Sequence, residues 1–261
     1  MLLPARLELF HKTYKSHRPL VVVTAYNEWQ TRLAEAAGVD CLLVGDSLAM
    51  VEQGVDHTSE VTLDQMVYHT TMVAQGRVSV PIVADLSFSS YTTPEKAVLS
   101  AKRLIEAGAD AVKFEGDPPG VADAILAEGI PVMAHLGLLP QTSQRFRVYG
   151  KDPSEALKLE AEAARLALAG CFAVVLECIP RALGKKITES LVIPTIGIGA
   201  GPETSGQVLV FHDLLGLSAG PHAKFVPTKY PPLGSMVTST LRAWADDVRT
   251  SRYPSDDESY H

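Results

Sequence analysis

AVKFEG, residues 111–116, reads as a β-strand with Val112 and Phe114 on one face and Lys113 and Glu115 on the other. Its neighbours in the chain are helix-separated apolar runs, so the strand belongs to a parallel sheet covered on both faces. A charged pair in such a place costs several kcal/mol per ion unless it is compensated. Four other apolar runs carry one polar or ionisable residue at or near the carboxyl end. They are CLLVGD (41–46) with Asp46, VPIVADL (80–86) with Asp85, PVMAHLG (131–137) with His135, and FAVVLEC (172–178) with Glu177.

Working outward, VVVTAY (21–26) and TIGIGAG (195–201) add two strands, and LLGLS (214–218) is expected to be the eighth. Helices are expected between them. One starts at Asn27 and stops at Gly38, and one is capped by Thr62 and runs to about Gly76. Others run from Pro94 to Gly108, briefly to Gly129, from Pro153 to Gly170, through PRALGKKITESL (180–191), and over about 234–249. Two connections, 47–60 and 138–152, are too long for ordinary turns and read as functional loops. No composition break or Pro/Gly/Ser linker interrupts the alternation. The pattern fits an α/β protein with a single-domain (β/α)8 TIM barrel over 1–261, a fold that takes about 250 residues; a doubly wound open sheet is the structural rival. Residues 1–19 form an N-terminal cap segment with the pattern of one short helix, and 250–261 are a tail too polar to pack a core.

The hydrophobic fraction of 46% and charged fraction of 20% are those of an ordinary globular protein. A net charge of −7 without any basic cluster argues against nucleic acid or an acidic membrane as partner. No apolar run approaches the roughly 20 residues of a membrane span, and the N-terminus lacks the apolar core of a signal peptide. Cys41, Cys171 and Cys178 are odd in number and lack metal spacing, which favours buried reduced thiols and a cytoplasmic location.

In a barrel the strand ends form one rim, so Asp46, Asp85, Glu115 and Glu177 face a common pocket. Two carboxylates about 4 Å apart repel by roughly 4 kcal/mol at an effective dielectric near 20, so such a set protonates or recruits a cation. An all-oxygen set suits Mg2+ better than Zn2+. For a single strand-end aspartate, capping the next helix is an equal explanation. Lys113 is suited to bind a substrate oxygen, to act as a Schiff-base nucleophile, or simply to pair with one of the acids. His135 alone reads as readily as a satisfied core residue. Glu177, after three apolar strand residues, suits a general base. GIGAG (197–201) fits an anion-binding loop and a plain tight turn equally well.

These residues, in this order, resemble the ketopantoate (3-methyl-2-oxobutanoate) hydroxymethyltransferase family. The likeness is carried by TAY (24–26), LLVGDSLAMVEQG (42–54), YHT (68–70), ADLSFSSY (84–91) and VKFEG (112–116). It continues in HLGLLPQ (135–141), LECIP (176–180), IPTIGIGAG (193–201) and HDLLGL (212–217). The resemblance implies a (β/α)8 barrel, usually a homodecamer. It also implies Mg2+ and 5,10-methylenetetrahydrofolate as co-substrate for hydroxymethylation of 3-methyl-2-oxobutanoate to 2-dehydropantoate in pantothenate biosynthesis, through a Mg-stabilised enolate. By matching position it implies Asp46 and Asp85 as metal ligands with Glu115 reaching the metal through water. Asp46, Ser47, Asp85 and Lys113 would be keto-acid contacts, His135 a neighbouring polar contact, and Glu177 the proton acceptor. Ser87 stands where the family commonly has Pro, and RFRVYGK (145–151) replaces a more typical GGYKVQG. The competing readings are a Schiff-base aldolase using Lys113, a keto-acid lyase of the isocitrate lyase/phosphoenolpyruvate mutase type, and a barrel kept only as a scaffold. A scaffold has no use for so many costly charges.

Overall fold

The computed structural model describes residues 3–143, 145–218 and 223–261. Residues 1 and 2 of the expected cap segment and residue 144 of the second long loop lie outside the described residues. Helix α1 (Ala5–Lys15) leads into β1 (Leu20–Thr24), and Asn27 caps α2 (Glu28–Ala36) by accepting the Gln30 amide. Next come β2 (Cys41–Val44), the short α3 (Leu48–Val51), and α4 (Leu63–Gly76), which opens with a Thr62–Gln65 capping box. The alternation then continues through β3 (Ile82–Asp85), α5 (Pro94–Glu106), β4 (Ala111–Glu115), α6 (Val121–Ala127) and β5 (Val132–Gly137). It finishes with α7 (Pro153–Ala169), β6 (Ala173–Glu177), α8 (Arg181–Ser190), β7 (Thr195–Ile198) and β8 (Gly206–Leu209). The eight strands are parallel and close in sequence order. The structure is the expected (β/α)8 barrel, not an open sheet.

The eighth strand is not where the sequence pattern put it. Residues 214–218 form no strand; Phe211–Leu214 is the short helix α9, and β8 is GQVL. Only two of its four residues are apolar, so it carries little strand signal. Its first residue makes the closure: a Cβ on Gly206 would lie 2.4 Å from the Leu20 carbonyl, so only glycine lets β8 come against β1.

The described chain forms two compact units, one running to Val210 and one from Phe211 to His261. The barrel lies in the first. Its lower interior is apolar: Leu20, Val22, Cys41, Leu43, Val83, Ala111, Met133, Ala173, Val175, Ile196 and Val208 pack there, with Leu7 and Phe10 of α1 and with Phe172. Phe10 meets Phe172 edge-on, ring centroids 6.0 Å apart. Leu7 and Phe10 thus pack α1 against the amino end of the barrel. The second unit contains α10 (Leu233–Arg249), none of whose residues is buried. Val237, Leu241, Trp244 and Val248 make an exposed apolar stripe along it, and the polar 250–261 segment is exposed throughout.

Candidate active site

Strand alternation converts the apolar floor into an ionisable rim. Two residues beyond Val83 stands Asp85, beyond Ala111 Lys113 and then Glu115, beyond Met133 His135, and beyond Val175 Glu177. All of these therefore share the interior face. Asp46, Asp85, Lys113, Glu115 and His135 are each between 2% and 6% exposed, so these charges sit within the barrel rather than in solvent. Asp85 Oδ2 accepts the backbone amide of Asp46 at 3.0 Å, and its Oδ1 lies 3.1 Å from Lys113 Nζ. Lys113 Nζ is also 3.3 Å from His135 Nδ1, and His135 Nε2 is 3.1 Å from Glu177 Oε2. Glu115 Oε1 lies 3.9 Å from His135 Nδ1. Six of the seven residues singled out from sequence are thus joined in one network. The seventh, Ser47, sits beside it with its hydroxyl 2.9 Å from that of Tyr26. Gly137 allows the β5–β6 approach at this level, since a Cβ there would meet the Glu177 carbonyl at 2.1 Å in a backbone already at φ +100°.

The electrostatics follow from burial and mutual repulsion. Burial and the neighbouring Asp85 charge push the Asp46 carboxyl up, and burial with Asp46 does the same to Glu115. Burial pushes Glu177 up to about 7, with Lys113 opposing the rise. Burial works against the Lys113 ammonium, but Asp85, Asp46 and Glu115 outweigh it and hold the pKa above its usual value. A lysine kept protonated in this way is a poor Schiff-base nucleophile. Burial, then the Lys113 charge, drive His135 well below its usual value, so its ring is neutral. An ammonium can only donate, so Nδ1 is the acceptor and the proton sits on Nε2, facing Glu177.

A divalent cation fits this donor set in one form. Among the described residues no three His, Cys, Asp or Glu side chains stand ready as a complete metal cage. Mg2+ does not need one, because it keeps several waters and takes one or two carboxylates plus substrate oxygens. Asp46 and Asp85 provide such a pair, and Asp85 Oδ1 is buried without an aligned hydrogen bond. A cation there would also relieve the repulsion that raises Asp46 and Glu115.

Two residues of the site carry no signal in the sequence. Gln141, in the β5–α7 loop, donates through Nε2 to Asp46 Oδ2 at 2.7 Å, and its backbone amide donates to Glu115 Oε2 at 3.0 Å. Tyr91 donates its hydroxyl to Gln141 Oε1. Both lie in stretches quoted above for their family likeness, but neither is charged or at a strand end. The GIGAG glycines serve packing: a Cβ on Gly197 would meet Thr204 Oγ1 at 2.6 Å, and Gln207 Nε2 donates to the Gly201 carbonyl at 3.0 Å. A cavity of about 610 Å3 borders the rim, lined among others by Phe88, Tyr91, Glu115, Asp117, Gly137 and Tyr149, a size usual for small-molecule sites.

A parallel (β/α)8 barrel with an apolar floor and an acid-rich carboxyl rim is the architecture this chain presents, and its fold is shared with known enzymes. Among solved structures the chain resembles 2,3-dimethylmalate lyase, a member of the PEP mutase/isocitrate lyase superfamily, with TM-score 0.64 and 19% identity over 99% of this chain and 92% of the other. It likewise resembles phosphonopyruvate hydrolase in complex with oxalate and Mg2+, with TM-score 0.66 and 14% identity over 98% and 93%. At such identities the likeness defines the fold. The family follows from sequence: the model for ketopantoate hydroxymethyltransferase matches residues 5–256, and the chain belongs to that enzyme family. It is 47% identical to the 3-methyl-2-oxobutanoate hydroxymethyltransferase of Moorella thermoacetica over 92% of each chain. It is also 47% identical to that of Salinibacter ruber over 93% of this chain and 94% of the other. With the protein of the same name from Thermus thermophilus it shares 42% identity over 92% and 94%.

Proposed function

We propose that this chain transfers a hydroxymethyl group from 5,10-methylenetetrahydrofolate to 3-methyl-2-oxobutanoate, giving 2-dehydropantoate for pantothenate biosynthesis. The observation that carries the reading is the meeting, at one rim, of a carboxyl tuned near neutrality with a buried acid pair held by an ammonium: Glu177 on one side, Asp46 and Asp85 with Lys113 on the other. Asp46 and Asp85 would hold Mg2+, with Glu115 as the third acid, and the ion when bound supplies Lewis-acid polarisation of the 2-keto group.

The residues of the chain do the rest. Glu177 takes the proton from C3 of the keto acid, and a carboxyl of pKa about 7 is matched to that task near neutral pH. His135 Nε2 stands 3.1 Å from Glu177 Oε2 without an aligned hydrogen bond, a polar neighbour of the base. The Lys113 ammonium, fixed against Asp85, faces the negative charge that builds on the keto oxygen, a preorganised electrostatic contribution. Carbon–carbon bond formation breaks the first of the methylene's two bonds to folate nitrogen, and water then displaces the second nitrogen and supplies the product hydroxyl. The two nitrogens take up the proton removed from C3 and one from water. The 610 Å3 cavity beside Glu115, walled by Phe88, Tyr91 and Tyr149, offers room for the ring system of a reduced folate next to the keto acid.

Membership in the family and the exposed Val237–Val248 stripe of α10 support a homo-oligomer. Three free cysteines suit a reducing cytoplasm, and no helix among the described residues is long and apolar enough to cross a membrane. The test is proton–deuterium exchange at C3 of 3-methyl-2-oxobutanoate without folate. Wild type exchanges in a Mg2+-dependent manner and Glu177→Gln does not; undiminished exchange in that variant would place the base elsewhere.

A further inference from the structure

Among the acids of the rim lies one uncharged side chain whose polar atoms are all engaged. Gln141 is 5% exposed. Its Nε2 donates to Asp46 Oδ2 at 2.7 Å and to the Leu86 carbonyl at 2.9 Å, while Oε1 accepts the Tyr91 hydroxyl. The amide can face only one way. Exchanging its oxygen and nitrogen would set an acceptor against a carboxylate and a carbonyl and leave the tyrosine hydroxyl opposite a donor. The backbone amide of the same residue donates to Glu115 Oε2 at 3.0 Å. One loop residue therefore ties together the carboxyl ends of β2, β3 and β4.

The consequence for Asp46 is specific. Its Oδ2 takes a charge-assisted hydrogen bond from a donor that cannot rotate, because Leu86 and Tyr91 hold the amide in plane. A carboxylate pinned through one oxygen presents the other in a fixed direction, which a small hard cation with strict geometry requires. An aspartate without that partner would have several rotamers in a pocket where like charges push it away.

We propose that Gln141 is a positioning residue for the cation site. Its side chain fixes Asp46 with Oδ1 left for the ion, its backbone fixes Glu115, and Tyr91 locks the amide that does so. The inference rests on the reading of Asp46 and Asp85 as the metal-holding pair, and its test separates the two. Mn2+ binding to the full-length protein is measured by titration calorimetry with 3-methyl-2-oxobutanoate present, alongside folate-independent C3 exchange and thermal melting. Gln141→Ala weakens Mn2+ binding on the order of 10- to 100-fold, the usual cost of losing a partner behind a metal ligand. It lowers the exchange rate at saturating keto acid in parallel, and raising Mn2+ restores part of that rate. Tyr91→Phe keeps the ring and removes only the hydroxyl, so it is the variant to use should the alanine protein fail to fold. It weakens Mn2+ binding several-fold in the same direction and lowers the melting temperature by only a few degrees, the cost of one buried hydrogen bond.

Variants that bind Mn2+ and exchange C3 within twofold of wild type, whatever their melting temperature, would overturn the role of Gln141 and leave the function standing. A wild-type protein that binds no Mn2+ would overturn both.

Discussion

Lys113→Met is the sharpest probe of how the rim is held together. Methionine keeps most of the stem's packing and removes the charge. Lys113 Nζ is 3.1 Å from Asp85 Oδ1, a separation at which opposite unit charges attract by about 5 kcal/mol at an effective dielectric near 20. The same ammonium also faces Asp46 and Glu115. Part of that attraction offsets the burial cost of the lysine itself, which the variant no longer bears. The acids left behind are then buried and uncompensated, and breaking a buried pair from one side costs about 3–5 kcal/mol. In metal-free buffer at pH 8, urea unfolding should show a loss of that size.

The loss should also depend on pH in one direction. Asp46 and Glu115 already have folded pKa values raised above their unfolded ones, so their contribution to stability is greatest when they are protonated. That contribution declines as pH rises from the unfolded carboxylate range, near 4, toward the raised folded values. Without Lys113 these values rise further, so the deficit is smaller at pH 5 and grows toward pH 8. A deficit below about 1 kcal/mol at pH 8, where 3–5 is expected for a buried pair, or one that stays constant between pH 5 and 8, would refute the electrostatic account.

Three further outcomes follow from features away from the acids. Phe10→Ala removes a ring packed against Phe172 in the barrel floor and should cost about 3–5 kcal/mol in urea unfolding, with kcat unchanged in the fraction that remains folded. Glu35 accepts the backbone amides of Val78, Ser79 and Val80 and the Ser79 hydroxyl, which outweigh burial and hold its pKa below the usual carboxylate range. Glu35→Gln should therefore cost about 1 kcal/mol at pH 7, because solvent reaches and screens the site. That stability is present above the unfolded pKa near 4.3 and is lost as pH falls through the folded value, so wild type and variant converge in acid unfolding curves. Leu241→Asp places a charge in the apolar stripe of α10 and should lower the molar mass found by light scattering if that face joins copies of the chain; an unchanged mass assigns the contact elsewhere.

The strands that end in a charge were legible because a buried ionisable residue after an apolar run has few purely structural reasons to be there. Asp85, Lys113, Glu115 and Glu177 announced both the fold and the site by that single property. The eighth strand was not legible, since Gly206 and Gln207 give half of β8 no apolar character while Leu214, Leu215 and Leu217 supply a stronger but misleading pattern. Gln141 escaped for a different reason: its importance lies in what its amide touches across about 95 residues of chain, and local spacing holds no trace of such a contact. The packing need for glycine at position 197 likewise shows only once Thr204 and Gln207 are seen beside it.

Leu7 and Phe10 seal one end of the barrel, which leaves a single door. Two reactants that share one door must queue. On the proposed reaction the keto acid, whose partners lie deepest, would enter first, and its product could not leave until the bulkier companion stepping in behind it had backed out. On that proposal steady-state kinetics should obey a compulsory order, with the keto acid's product inhibiting competitively against the keto acid and the companion's spent form giving mixed inhibition against its own fresh form.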